Sequence, residues 1–192
     1  MGTRSEVVVW DGHVMVTLYK HWDGYPHYIL PFMKDAAYFA AYLTNNQRHW
    51  LTYAEDVASY LILFHGLVNI YQLRRLHSPI GINPDLRPAS GTADFAEYVY
   101  MLHVNPNNQD SPGHDELLFW LLEVFSVEDK DVFWEMSREE RDKVYLEYLR
   151  NGTEIPYLML RDQIKIEIPV KGLREKIPLI VSVRRNSKYK QL

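Results

Sequence analysis

Two short segments rich in strand-forming residues, with a turn dipeptide between them, lie within the first twenty residues. Glu6 to Trp10 and Val14 to Tyr19 are rich in β-branched and aromatic residues, and Asp11-Gly12 lies between them. Asp-Gly is the dipeptide preferred in two-residue type I′ turns. The pattern therefore predicts an antiparallel β-hairpin at the start of the chain.

A two-residue turn fixes which residues of the hairpin lie opposite each other. Trp10 is then predicted to face His13, and the same register brings Arg4 opposite Tyr19. We expect one face to pack on the core, with Ser5, Val7, Val9, Val14, Val16 and Leu18. The second face is mixed, and its polar groups gather at the open end of the hairpin, where the two strands are not joined.

Later segments show the spacing of amphipathic helices. Thr52 and Glu55 form a capping-box pattern ahead of a long apolar segment, and Ser137 and Glu140 repeat that pattern before a segment that ends at Asn151-Gly152. The resulting predicted helices cover approximately residues 31–43, 53–76, 114–125, 128–135 and 138–150.

The remaining β-rich segments are short. Glu97 to Val104 alternates and is predicted to pair with the hairpin, and Ser78 to Asp94 is predicted to be a long loop. Three short strands are predicted near the end of the chain, at 157–160, 164–168 and 177–183. Strands at both ends with helices between them indicate an α+β fold. We expect one domain over residues 1–192, with a small, mainly antiparallel sheet packed by several helices.

Composition is that of a globular protein. The chain has 192 residues, 47% of them hydrophobic, a net charge of −4 and no cysteine, which excludes disulfides, thiolate metal sites and a cysteine nucleophile. Charge is uneven, because residues 161–192 hold 9 basic and 3 acidic side chains. This basic C-terminal segment suggests contact with a nucleic acid or with an acidic face of a second subunit, and a solvated strand and chain end is the alternative.

No membrane association is predicted. The longest apolar stretch, Val57 to Tyr71, has 15 residues and includes His65 and Asn69. A membrane-spanning helix needs about 20 apolar residues, so we interpret this stretch as a buried helix. The first ten residues do not form a signal peptide, and the expected location is the cytoplasm.

Established catalytic motifs are absent from the sequence, and eight histidines are scattered along it. His21, Asp23 and His27 lie in one loop, but they are too few for a convincing metal site, and we predict none. Asp162 and Lys165 faintly resemble a metal-dependent nuclease motif. The alternative is that Gln163, Lys165 and Glu167 form the solvent face of a strand whose isoleucines point inward.

The predicted register also gathers chemically useful groups at the open end of the hairpin. Arg4 and Tyr19 lie opposite each other there, with His21 and Asp23 just beyond. A guanidinium, a phenol, an imidazole and a carboxylate can together bind an anion or carry out acid–base chemistry. The alternative is a structural ion pair between Arg4 and Asp23 that locks the following turn. The candidate ligand-binding residues are Arg4, Tyr19, Lys20, His21, Asp23 and Tyr25.

The same residues carry a family resemblance. The chain resembles a family of small uncharacterised proteins from phages, prophages and other microbial genomes. Three segments carry the resemblance: Thr3-Arg4-Ser5, then Tyr19-Lys-His-Trp-Asp-Gly-Tyr-Pro26, and a strand containing Glu97-Tyr-Val-Tyr100. Lys20 stands where that family often has arginine. The resemblance covers the first 30 residues and the strand near 97–104. It implies a phage- or virus-type accessory protein and attaches no activity to it.

Three functions follow as expectations. The first is a binding module for an anionic, nucleotide-like small ligand or for a host protein. The second is a metal-dependent phosphodiester hydrolase that uses His21 and Asp23, or Asp162 and Lys165. The third is a structural or assembly protein, which would form a homo-oligomer. The sequence leaves open whether the protein is an enzyme and identifies no cofactor.

Overall fold

A computed structural model describes residues 3–21, 23–44, 48–76, 86–90, 95–106 and 118–168, with the backbone alone for 48, 49 and 69–76. Within these ranges the chain forms an α+β fold with six strands and four α-helices. In chain order these are β1 (Arg4–Trp10), β2 (Met15–Lys20), α1 (Pro26–Leu43), α2 (Ala54–Leu76), β3 (Leu86–Pro88), β4 (Ala96–His103), β5 (Phe119–Val127), α3 (Lys130–Glu135), α4 (Arg138–Asn151) and β6 (Leu158–Glu167). A short 3₁₀ helix, Arg48–Leu51, precedes α2.

The strands form one open sheet in the order β3-β2-β1-β4-β5-β6. Among the described strand pairs, β1 and β4 run parallel and every other pair is antiparallel. The predicted pairing of the hairpin with the central strand is therefore confirmed. Because β1 and β4 are parallel, Arg4 and Ala96 begin their strands at the same end of the sheet.

Helices cover both faces of the sheet. α1 and α2 pack on the face that carries Val7 and Leu18, and the shared core also includes Phe32, Leu61 and Trp120. α3 and α4 pack on the opposite face and bury a second core made of Val8, Val99, Met101, Phe125, Phe133 and Tyr145. The second face of the hairpin is thus more buried than its mixed composition predicts.

The predicted hairpin register is wrong by two residues. Trp10 lies opposite Met15, and Glu6, not Arg4, lies opposite Tyr19. The loop is longer because the Asp11 carboxylate accepts hydrogen bonds from the backbone N–H groups of His13 (2.8 Å) and Val14 (2.7 Å). Its second oxygen accepts from the N–H of Ala54 at the start of α2, at 3.0 Å. A shift of two residues preserves which side chains share a face.

The predicted helix at 114–125 is also wrong in its described part, because Phe119–Val127 forms strand β5. This strand is internal and has helices on both faces, so its sequence is almost continuously apolar. A short apolar run of that kind has no clear period and does not distinguish a buried strand from a buried helix.

Other boundaries differ by less. α1 begins at Pro26 and contains Pro31, which was expected to start it. Residues 158–167 form a single strand with an irregularity near Arg161, where two short strands were predicted. The predicted loop at 78–94 contains strand β3. Residues 77–85, 91–94 and 169–192, and with them the strand predicted at 177–183 and most of the basic segment, lie outside the described residues.

Several local predictions are confirmed. α2 begins at Ala54 and ends at Leu76. Ser137 and Glu140 form the predicted capping box at the start of α4, and Gly152 ends that helix in the left-handed conformation with φ 68°. None of the helices in the described ranges has the length and apolar character that crossing a bilayer requires.

Candidate functional site

The open end of the hairpin divides the candidate residues between the two faces of the sheet. Glu6 contacts α4, so its cross-strand neighbour Tyr19 lies on the face covered by α3 and α4. Arg4 lies two residues before Glu6 and therefore shares that face. Lys20 lies opposite Ser5 and belongs to the face covered by α1 and α2.

Tyr19 and His21 are in direct contact. The Tyr19 hydroxyl and His21 Nδ1 share a hydrogen bond of 3.1 Å, and the ring centres lie 5.9 Å apart. Arg87 of β3 lies opposite Tyr19, and its guanidinium carbon is 5.4 Å from the centre of the tyrosine ring. Tyr19 is buried, His21 is partly exposed and Arg87 is exposed. A guanidinium and an imidazole therefore flank one buried phenol.

Arg4 lies next to this group and contacts a different ring. In the observed register it is a diagonal neighbour of Tyr19, a position about 7–8 Å away. Its guanidinium carbon is 5.4 Å from the centre of the Phe95 ring. Phe95 immediately precedes β4, is 55% exposed and has a positive φ of 58°. Trp134 packs edge-on against Phe95, with the ring centres 5.0 Å apart.

Lys20 and Tyr25 lie on the other side of the sheet. The Lys20 side chain is buried, and its ammonium is 5.6 Å from the centre of the Tyr28 ring. Tyr25 is exposed, stacks on His27 with the ring centres 5.3 Å apart, and makes a tilted contact with Tyr98. The sheet therefore separates these two candidates from Arg4, Tyr19 and His21.

Asp23 is not buried, which does not fit a buried ion pair with Arg4 as the lock of this turn. Asp23 is exposed and has a positive φ of 55°. The turn is instead held by Gly24, whose N–H donates to the Thr3 carbonyl at 2.8 Å and whose carbonyl accepts from the buried Tyr100 hydroxyl at 2.6 Å. The Asp-Gly-Tyr-Pro turn is fixed to β1 and β4 through the glycine backbone.

The carboxylate beside Tyr19 is strongly balanced by arginines. Arg138 Nη1 donates to Glu6 Oε1 at 2.9 Å, Arg141 Nε lies 3.5 Å from the same oxygen, and the Tyr145 hydroxyl donates to Oε2 at 2.8 Å. Burial lowers the pKa of Arg141. Burial also acts to lower the pKa of Arg138, but the charge of Glu6 together with Asp142 and Tyr145 raises it. Burial raises the pKa of Tyr145 well above its ordinary value. The negative charge of Glu6 is therefore balanced by arginines within the fold.

A second polar cluster surrounds Glu123 of β5. His103 Nε2 lies 2.8 Å from Oε2, and the Tyr148 hydroxyl and the Gln163 amide donate to Oε1 at 3.1 and 3.2 Å. Burial favours a raised pKa for Glu123, but the hydrogen bond and charge of His103, with the other two donors, hold it below its ordinary value. Burial and Glu123 raise the pKa of Tyr148 to about 12. Three side chains from three elements converge on one carboxylate, which is the arrangement of a structural network.

The nuclease-like pair is not brought together. Asp162 lies opposite Val124 and Lys165 opposite Leu121, so the two side chains point to opposite faces of β6. The predicted alternative holds, since Gln163, Lys165 and Glu167 are exposed while Ile166 and Ile168 are buried. Within the described ranges, no group of three or more histidine, aspartate and glutamate side chains could hold a metal ion.

Sequence reasoning missed Arg87 and Phe95. Arg87 lies in a segment predicted to be loop, and Phe95 is separated from Arg4 by about ninety residues of chain. Their proximity depends on β3 pairing with β2 and on the parallel pairing of β1 with β4. A charged residue between Leu86 and Pro88 gave no local signal of a site.

Comparisons with protein-family models, with curated proteins and with solved structures found no match to this chain.

Proposed function

We propose that the protein binds a small anionic, nucleotide-like ligand at the open end of the hairpin. The site is a cationic cluster formed by Arg4, Tyr19, His21 and Arg87. The observation that carries the proposal is the gathering of two guanidiniums and one imidazole on one face of the sheet, each in contact with an aromatic ring. With the family resemblance, it supports an accessory protein of phage or virus type that acts by binding.

Arginine suits this role because its planar fork of N–H groups matches the oxygens of a phosphate or carboxylate. Stacking on Tyr19 and Phe95 restricts the two guanidiniums before a ligand arrives. Because the side chains are already restricted, less conformational entropy is lost when they are immobilised by a ligand. The Tyr19 hydroxyl similarly fixes the ring of His21.

Local charge also favours an anion. Glu6, the carboxylate nearest Tyr19 in the sheet, is buried and engaged by Arg138 and Arg141. No described residue forms an ion pair with Arg87, whose side chain is exposed. Asp23 is exposed on the nearby turn and contributes the opposing charge.

The proposal predicts that Arg87→Gln weakens binding of phosphate-bearing ligands. We expect a loss of at least tenfold in affinity for ATP or a cyclic dinucleotide by isothermal titration calorimetry, because one charge-assisted contact is worth about 1.5–3 kcal/mol. The melting temperature should hardly change, since Arg87 is exposed. Arg150→Gln is the matched control, because Arg150 is exposed and lies about 18 Å along α4 from Arg138.

Two outcomes would contradict this proposal. Equal loss of affinity in both variants would mean general electrostatic attraction, and the absence of binding across nucleotides and inorganic phosphates would remove the site. Incubation with Mg²⁺ or Mn²⁺ tests the hydrolase alternative in the same samples. Product formation that His21→Ala abolishes would favour that alternative.

A further inference from the structure

Phe95 has two properties that are unfavourable for a phenylalanine. Its side chain is 55% exposed, which leaves a large apolar ring in water. Its backbone φ of 58° lies in the left-handed region, which bulky residues rarely adopt. A residue of this kind persists where the surrounding structure holds it in place, and such positions cluster at binding sites.

The surroundings of Phe95 are fixed on two sides. Arg4 places its guanidinium carbon 5.4 Å from the ring centre, and Trp134 packs edge-on at 5.0 Å. The Trp134 indole N–H donates to the Ala96 carbonyl at 2.8 Å, which ties the indole to the first residue of β4. The Lys130 ammonium lies over the Trp134 ring, 5.7 Å from its centre.

We infer that Phe95 is a stacking platform for an aromatic ring of the ligand, and that the ligand class is therefore nucleotides and other phosphate esters of planar aromatic groups. This inference rests on the proposed function, because the phosphate is held by the cationic cluster. Arg4 belongs to both parts, since it contacts Phe95 and shares a sheet face with Tyr19. A base stacked on Phe95 would thus place its phosphate within reach of Arg4.

Stacking predicts a preference that charge alone does not produce. A base stacked on an aromatic side chain strengthens binding whichever base it is, because every base has a flat aromatic face. ATP, GTP, CTP and UTP should therefore bind with similar affinity, and each should bind at least tenfold more tightly than inorganic tripolyphosphate, which carries the same kind of charge without a base.

The test compares Phe95→Gly with Phe95→Trp by calorimetry and thermal melting. Phe95→Gly should lower ATP affinity at least tenfold and leave tripolyphosphate affinity within twofold. Its melting temperature should stay constant or rise, because glycine adopts positive φ without strain. Phe95→Trp should keep the ATP affinity.

The outcomes separate the two proposals. If tripolyphosphate and ATP bind equally well to the wild type, or if Phe95→Gly leaves ATP affinity unchanged, the stacking inference is overturned and the anion site remains. If none of these probes binds, the proposed function fails, and the stacking inference fails with it. If Phe95→Gly weakens both probes equally, Phe95 acts only by positioning Arg4, which also overturns the inference.

Discussion

At the scale of single residues, Gly24 joins the turn after β2 to the first strand. A Cβ built at this position would come within 2.8 Å of the Arg4 carbonyl carbon and 2.9 Å of the Ser5 nitrogen. Both are backbone atoms, so they cannot rotate away. The Ser5 hydroxyl is buried nearby without a hydrogen-bond partner, which indicates tight packing against the glycine.

Gly24→Ala should therefore destabilise the protein, by about 1–3 kcal/mol, as expected for overpacking of a close backbone contact. Chemical denaturation of the wild type and the variant measures the change. Gly66→Ala is the control: Gly66 lies inside α2 with no atom within 4 Å of the added Cβ, and alanine there should stabilise the helix by about 0.5–1 kcal/mol. Stabilisation by both substitutions would contradict the close approach at Gly24.

At the scale of elements, α4 is fixed to the sheet through a buried carboxylate. Glu6 of β1 and Arg138 of α4 form an ion pair with side-chain exposures of 1% and 14%. Arg141 and Tyr145 approach the same carboxylate. Two arginines in a buried position need a negative partner, because an isolated buried charge is costly.

Glu6→Gln should destabilise the protein by about 3–5 kcal/mol, the range observed when one partner of a buried ion pair is removed. Equilibrium urea unfolding gives the change. As a control, Glu97→Gln breaks an exposed ion pair in which Glu97 Oε2 lies 3.9 Å from Lys130 Nζ. It should lower the free energy of unfolding by about 1 kcal/mol or less. Similar small effects from both variants would mean that Glu6 does not hold the helix.

At the scale of the whole molecule, the Glu123 cluster joins three elements in addition to its own strand. His103 comes from β4, Tyr148 from α4 and Gln163 from β6. The pKa of Glu123 is lowered in the folded protein. A lowered folded-state pKa means that the carboxylate stabilises the fold fully above its unfolded pKa, and that this contribution is lost as pH falls through the folded pKa.

The unfolding free energy of the wild type should accordingly exceed that of Glu123→Gln at pH 7, and the difference should shrink as pH falls below the ordinary glutamate value of 4.5. Thermal melts from pH 7 to pH 3 measure the difference. Parallel curves for the two proteins across that range would show that the ionised carboxylate gives no net stabilisation.

The sequence by itself determined the elements whose signals are local. The capping box at Ser137, the helix stop at Gly152 and the long apolar pattern of α2 depend on residues within a few positions of each other. Backbone hydrogen bonds and side-chain caps act over that range, so these elements are predictable without the rest of the chain. The α+β class followed from the order of these elements along the chain.

Tertiary structure decided the rest, because distant residues supplied the missing partners. Asp11 bonds to Ala54 and changes the hairpin register, and helices on both faces make the apolar segment of β5 a strand. The cationic cluster also depends on strand pairing. The two-residue shift in the hairpin places Glu6 beside Tyr19. The pairing of β3 with β2 and of β4 with β1 brings Arg87 and Phe95 to the open end of the hairpin. Strand pairing joins residues far apart in sequence, so no local pattern encodes it.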